Sequence, residues 1–361
     1  GKWTPETLPH YNLIVGEAKG LRAYLHLDLL RIFGPVLPDG MDQPSIPYRD
    51  EFSNNIIRQM SARDVLAKIE KDLKEARDLL ADDPINEHGR QNPDYSDNSS
   101  ENKVYAYRFR GIRMNYYAVC ATLARYYLLI GNKSEALTYA LEVINADKIF
   151  QLGNAKSNTQ DYMFQPELVW AIYDAEINKQ GHLGNSDFFI NYSISDLFRS
   201  FVYGEGYGLP DDPRLNHWWG QTATAPVIHY LSKYFRTTDL NTNTDITKWE
   251  KLISMIRLSE LYYIAAEANI GTDNAEARRL LQAVRNARNL ATSPLPETLT
   301  EAELLEQIVF EQLKEFWGEG KLFYTYKRLF RDIIIRQNTI PASKAIFELP
   351  VPREEIEYGN N

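Results

Sequence analysis

Residues 112–130 and 133–146 are two amphipathic stretches separated only by Gly131-Asn132, and the layout returns at residues 257–270 and 274–289 around Gly271-Thr272-Asp273. Within each stretch apolar side chains recur three and four residues apart, which is the helical period. Two helices joined by so short a link must lie side by side and antiparallel. Each pair spans about 34 residues, the period of a tetratricopeptide hairpin. Ala136 and Ala140 in one pair, and Ala277 and Ala287 in the other, put small side chains where the helices approach. A chain built on such hairpins is confined to a stacked, mostly helical architecture.

The remaining elements are consistent with that frame. Ala18, Leu21, Leu25, Leu29 and Ile32 predict a helix over residues 17–33, stopped by Gly34-Pro35. Ser61-Ala62-Arg63-Asp64 reads as a helix start, and Val65, Ile69, Leu73, Ala76 and Leu80 form the buried face that follows. These two helices make a third hairpin with a long loop, residues 36–60, inserted between them. Residues 81–103 read as another loop. The last helix, 301–316, opens on a capping box at Thr300 and Glu303 and buries Leu304, Ile308 and Leu313. Glu167–Tyr173 reads as a short buried strand. The helical pattern fails over residues 149–250, where Gly, Asn, Pro and aromatic residues are dense. A long irregular segment in a helical protein is functional or disordered, and the aromatics argue against disorder. The expected organisation is therefore one domain over residues 1–361: a helical scaffold at 12–148 and 251–361, with the irregular region 149–250 carrying the ligand.

Composition excludes several classes of function. The net charge of -9, with no basic run, argues against a nucleic-acid partner. No apolar run approaches the roughly 20 residues of a membrane span. Gly1-Lys2-Trp3-Thr4-Pro5 does not read as a signal peptide, so any export signal or lipid-bearing cysteine is expected upstream. The lone cysteine, Cys120, sits in an apolar helical run and is expected to be a buried, inert thiol. The six histidines show no pair at metal-ligand spacing, and no cofactor, nucleophile or phosphate-loop motif is present. Glu311, Glu315 and Glu319 are spaced four apart and share one helix face if the helix persists through them. Paired carboxylates serve a glycosidase, but carboxylates on successive turns more commonly pair with Lys or Arg of a neighbour. The structural role is the stronger expectation.

Several segments together resemble one known family. They are Gly16-Glu17-Ala18-Lys19-Gly20-Leu21-Arg22-Ala23, Tyr116–Arg125, Asp212-Pro213-Arg214, Lys233-Tyr234, Ile256–Ala268, Glu315–Gly320, and the closing Leu-Pro-Val-Pro-Arg-Glu-Glu-Ile of residues 349–356. In this order, over nearly the whole chain, they resemble the SusD/RagB family of nutrient-binding surface lipoproteins of Bacteroidetes. Lys321–Arg328 departs from the Arg-Asp step many members carry there, and the leading segment that usually precedes the first helix has no counterpart. The resemblance implies a SusD-like α/α superhelix of tetratricopeptide-like hairpins with an irregular loop-rich region. It implies no catalysed reaction and no cofactor. It also implies capture of a glycan or glycan-derived nutrient at the outer-membrane surface, for delivery to a SusC-like TonB-dependent transporter. Membrane attachment would run through an N-terminal lipid anchor on the precursor.

Sugars present flat apolar faces ringed by hydroxyls, and aromatic platforms hold them. The chain is rich in such side chains, with 23 Tyr, 15 Phe and 6 Trp, although core wedges account for most of the tyrosines. Tyr203 and Tyr207 in Tyr203-Gly204-Glu205-Gly206-Tyr207-Gly208, and Trp218 and Trp219 in Asn216-His217-Trp218-Trp219-Gly220, are the expected platform, because flanking glycines leave ring faces open. In an extended segment the two Trp rings would point to opposite sides, so one of them would be core. Trp170 and Trp317, among aliphatic or helical neighbours, are assigned to the core. Two other readings remain. An all-α glycoside hydrolase would need two carboxylates across a cleft. A tetratricopeptide scaffold binding a peptide would use a groove lined by helices.

Overall fold

The structure, a computed structural model, describes residues 10–90, 109–155, 163–174, 201–203, 212–221, 229–231, 252–335 and 338–358, together with 4, 161 and 193–195. It is mostly helical. In chain order the longer elements are α1 (Tyr11–Phe33), α2 (Ala62–Leu79), α3 (Ile85–His88), α4 (Tyr116–Leu129), α5 (Lys133–Ile144), β1 (Leu168–Tyr173) and β2 (Ser193–Ile194). They continue with α6 (Pro213–Trp218), β3 (Trp219–Gln221), β4 (His229–Leu231), β5 (Leu252–Arg257), α7 (Leu258–Asn269), α8 (Asn274–Ala287) and α9 (Glu301–Glu315). The chain closes with α10 (Leu322–Leu329), β6 (Ile333–Ile335), β7 (Asn338–Ile340), α11 (Lys344–Phe347) and α12 (Arg353–Tyr358). No described helix is long and apolar enough to cross a membrane.

The chain divides into two compact units. One holds residues 1–110, 114–139 and 321–361; the other holds 111–113 and 140–320. This differs from the division expected from sequence, in which residues 149–250 stood apart from one continuous scaffold. The physical reason is strand pairing. β1 pairs antiparallel with β5, and β5 runs directly into α7, so β1 is tied to α7.

In the first unit α1 and α2 are antiparallel, as their side-chain partners show. Lys19 bonds Glu75 at 2.6 Å, and further along α1 Arg22 forks onto Asp72 at 2.6 and 2.7 Å. Asp72 also accepts from the Tyr48 hydroxyl at 2.5 Å, which fastens the loop between the helices. The start of α2 is capped by the Ser61 hydroxyl, which accepts the Asp64 N–H, and α4 is capped by Asn115, which accepts the Ala118 N–H. Arg110 is buried between Glu17 and Asp83, donating to both, and Asp83 accepts the N–H groups of Ile85 and Tyr116 as well. Cys120 is buried in α4.

Two glycines of α1 are dictated by close approach. A Cβ on Gly16 would lie 2.7 Å from the Leu80 Cγ, and one on Gly20 would lie 2.8 Å from the Met114 Cγ. Gly16→Val is expected to cost about 1–3 kcal/mol through overpacking. The measurement is the urea midpoint, and a variant that melts with the parent would show that the α1–α2 contact yields freely.

In the second unit α7 and α8 are joined by residues 270–273, with the Asp273 side chain accepting the Glu276 N–H at the start of α8. α9 opens on the expected capping box of Thr300 and Glu303. Leu261, Ala265, Ala277, Leu280, Val284, Leu304 and Ile308 are all buried along these helices. β2, β4 and β3 form a separate small antiparallel sheet in that order.

Candidate functional site

Glu311 and Glu315 lie one turn apart on α9 and are turned inward. α9 ends at Glu315, so Glu319 stands beyond the helix and reaches the same group of charges from the turn that follows. Glu315 accepts from Arg257 at 2.7 Å, from Arg288 at 2.7 and 3.1 Å, and from Arg214 at 3.2 Å. Glu311 accepts from Arg214 and Arg285, each at 2.8 Å. Glu319 accepts from Arg257 at 2.8 Å. Asp212 forks onto Arg214, and Glu167 meets Arg257 at 3.2 Å and Arg288 at 2.7 Å. Lys314 completes the group through Glu311 at 3.2 Å. Five cations (Arg214, Arg257, Arg285, Arg288, Lys314) thus face five carboxylates (Asp212, Glu167, Glu311, Glu315, Glu319), with side chains that are almost wholly buried.

Burial alone would raise the pKa of Glu315, but the fields of Arg288, Arg257 and Arg214 outweigh it and hold the carboxyl well below its usual range. Glu311 is lowered in the same way, with burial opposed chiefly by Arg214, Lys314 and Arg285. A glycosidase acid needs a raised pKa and access to a sugar oxygen. Glu311 and Glu315 have neither, and each is spent on its guanidinium partners. The structure makes them a structural lock on α9.

The expected aromatic platform meets the opposite outcome. Tyr203 and Trp218 are fully buried and Trp219 is 8% exposed. All three belong to one core cluster with Ala155, Phe164, Val202 and Leu231. The Tyr203 hydroxyl donates to the Lys314 carbonyl at 2.9 Å and accepts from the Trp219 indole at 3.4 Å. Flanking glycines therefore misled: these rings are core and present no face to a ligand. Tyr207 lies outside the described residues. The physical cause is the Asp-Pro-Arg step. Asp212 caps α6 by accepting the Arg214 N–H, with Pro213 in its first turn. Arg214 is then drawn into the ion network, and the rest of α6 follows. Trp218 ends the helix and Trp219 begins β3, so the alternation of an extended strand does not apply between them. Both rings enter one core. Trp170 is buried, as expected, whereas Trp317 is only partly buried, its ring edge-on to Trp219 at 5.4 Å between centroids.

Of the described aromatic side chains in residues 149–250, Tyr173 is the exposed one, at 56%. It stands at the end of β1, paired with Leu252 of β5, beside the exposed Ile172. Its backbone is fixed by the β1–β5 ladder, so its ring is offered to solvent from a rigid base. Sequence reasoning passed over it because the Leu168–Tyr173 run reads as uniformly buried. The burial changes to exposure only at its last two residues. Among the described residues no group of three or more His, Cys, Asp or Glu is arranged for a metal ion.

Comparison with known proteins bears on the fold. Residues 200–348 match the model of the SusD family. No curated protein matches the sequence significantly. Among solved structures, a SusD superfamily protein from Bacteroides thetaiotaomicron VPI-5482 superposes with a TM-score of 0.71 at 22% identity, over 96% of this chain and 76% of its own. A SusD-like carbohydrate-binding protein from Bacteroides vulgatus ATCC 8482 gives 0.67 at 20%, over 97% and 76%. A laminarin-binding SusD-like protein gives 0.58 at 22%, over 90% and 73%.

Proposed function

We propose that this chain, a SusD-family protein in the sequence of residues 200–348 and in its fold, captures glycans at the cell surface and hands them to a SusC-like TonB-dependent transporter, without catalysing a reaction. The observation that carries glycan capture is the shared fold, which spans almost the whole chain and includes proteins described as carbohydrate-binding and laminarin-binding. The saturated state of Glu311 and Glu315 supports binding over hydrolysis. Surface anchoring by a lipid and the transporter partner belong to the same reading and rest on the family.

The contact with the sugar falls to rings that the core does not consume. Tyr173 is the described candidate, and Tyr207, between Gly206 and Gly208, is the sequence candidate beside it. A tyrosine ring laid on a sugar face removes apolar area from water, while its hydroxyl can still bond a sugar oxygen.

Native affinity gels and titration calorimetry with laminarin and other soluble glucans test this. Retardation by at least one glycan, with no release of reducing ends, is expected. Tyr173→Ala should weaken that binding about five- to thirty-fold, since losing one stacked ring costs about 1–2 kcal/mol net, and should leave the melting temperature unchanged. Release of sugar by the parent chain would sink the binding-only reading. Unaltered affinity in Tyr173→Ala would remove this ring from the site.

A further inference from the structure

In the first unit a pocket opens at the C-terminal end of α1. Leu30, Pro35, Leu37 and Leu129 give it an apolar wall. The rest of its lining is Arg31, Tyr324, Lys327 and Arg328, three cations and a tyrosine. Nothing in the glycan-capture reading uses this pocket.

Lys327 is the informative member. It is only 5% exposed, and no carboxylate of the described residues pairs with its ammonium within 4 Å. Its two hydrogen bonds run to backbone carbonyls, Gly34 O at 2.6 Å and Ile32 O at 3.1 Å. An ammonium has three N–H donors, and these carbonyls are the acceptors it meets among the described residues. The carboxylate whose field reaches it is Glu348, and that side chain accepts the Val36 N–H at 2.9 Å. Burial pushes the Lys327 ammonium down to about 8, with Glu348 only partly opposing. A buried cation without a carboxylate partner is costly, and an arriving anion would relieve that cost.

The neighbours extend the same chemistry. The Arg31 guanidinium lies 3.7 Å from the centre of the Tyr324 ring and bonds Asp28 at 2.9 Å, which fixes it at the pocket wall. Asp28 also sits 4.0 Å from Arg125. Arg328 is half-buried at the pocket. The result is an apolar wall facing fixed cations.

We propose that this pocket binds an organic carboxylate with a compact, partly apolar body, seating the carboxylate on Lys327 and Arg328 and the body against Leu30, Pro35 and Leu129. The choice of a sugar acid as that body, a uronic acid residue of an acidic glycan, rests on the glycan-capture reading. The plain alternative is that Lys327 only caps the last carbonyls of α1.

The experiment is titration of the whole chain with D-glucuronate, D-glucose and sodium acetate, followed by NMR shifts or calorimetry. Glucuronate and glucose differ only in the oxidation of one carbon, so the pair isolates the carboxylate. Glucuronate is expected to bind at least about tenfold more tightly than glucose, the scale of one charge-assisted hydrogen bond, and more tightly than acetate. Lys327→Met should abolish that preference, and Lys327→Arg, which keeps the charge, should restore part of it. Should Lys327→Met fail to fold, Arg328→Gln is the second variant, and it should lower glucuronate affinity in a chain that still folds. Equal binding of glucuronate and glucose, or variants that bind glucuronate as the parent does, would overturn the carboxylate site. Acetate binding as tightly as glucuronate would overturn the sugar body. Neutral glucan binding by a chain that ignores glucuronate would overturn this inference alone and leave the proposed function standing.

Discussion

Glu315→Gln is expected to destabilise the protein by about 3–5 kcal/mol, or to prevent folding at ordinary temperature. The glutamate is fully buried and accepts from Arg214, Arg257 and Arg288. Neutralising it leaves three guanidinium groups with a lost partner in a region that water does not reach. Breaking one member of a buried ion network costs about that much, because the remaining charges stay desolvated. Replacing the charged group as a whole by apolar residues of similar volume would be far milder, so the effect measures orphaned charge and not the net worth of the network. The measurement is a denaturant melt followed by circular dichroism. A loss under about 1 kcal/mol would show that water or a neighbour satisfies the arginines.

The same carboxylate sets an acid limit. The folded pKa of Glu315 lies well below the ordinary 4.5. The unfolded chain therefore binds a proton at a pH where the folded chain does not. Stability from this group is fully present above about pH 4.5 and is lost as the pH falls below it. Glu311, lowered mainly by Arg214 and Lys314 against the cost of burial, acts in the same direction. The stability gap between the parent and Glu315→Gln should narrow on acidification below pH 4.5. A gap that widens there would contradict the assignment.

Trp218→Ala is the second large effect, at about 3–5 kcal/mol, the range for removing a fully buried large aromatic. Its ring lies 5.5 Å from Phe164 and 6.2 Å from His217 between centroids, with the Arg257 guanidinium 5.9 Å from its centre. The substitution opens a cavity beside the ion network. Glycan affinity per folded molecule should be unchanged, because the ring has no face open to ligand. A variant that melted like the parent but lost glycan binding would restore Trp218 to the ligand surface.

Local features were legible before the fold was known. The hairpin helices, the cap at Ser61, the capping box at Thr300 and Glu303, the stop at Gly34 and the β1 strand all follow from short-range patterns, because each depends on side chains within a few residues. The shared face of Glu311 and Glu315 was equally legible from helical spacing, as was the preference for basic partners, whereas Glu319 lies past the end of α9. Which partners was not legible. Arg214 stands 101 residues from Glu315, and Glu167 stands 90 from Arg257.

The platform shows where local reasoning ends. Glycines beside Tyr203 and next to Trp219 give the backbone freedom, and that freedom does not say which way a ring turns. The burial of Arg214 decided it, by carrying α6 inward and Trp218 and Trp219 with it. Tyr173 was missed for the complementary reason, since a strand of apolar residues does not announce where its sheet stops covering it. The sequence by itself determined the helices, their ends and the charge pattern of α9, because those depend on nearest neighbours along the chain. Only the tertiary structure decided which charges meet, which aromatics are core and which ring faces water. Those outcomes depend on segments about a hundred residues apart competing for the same buried space.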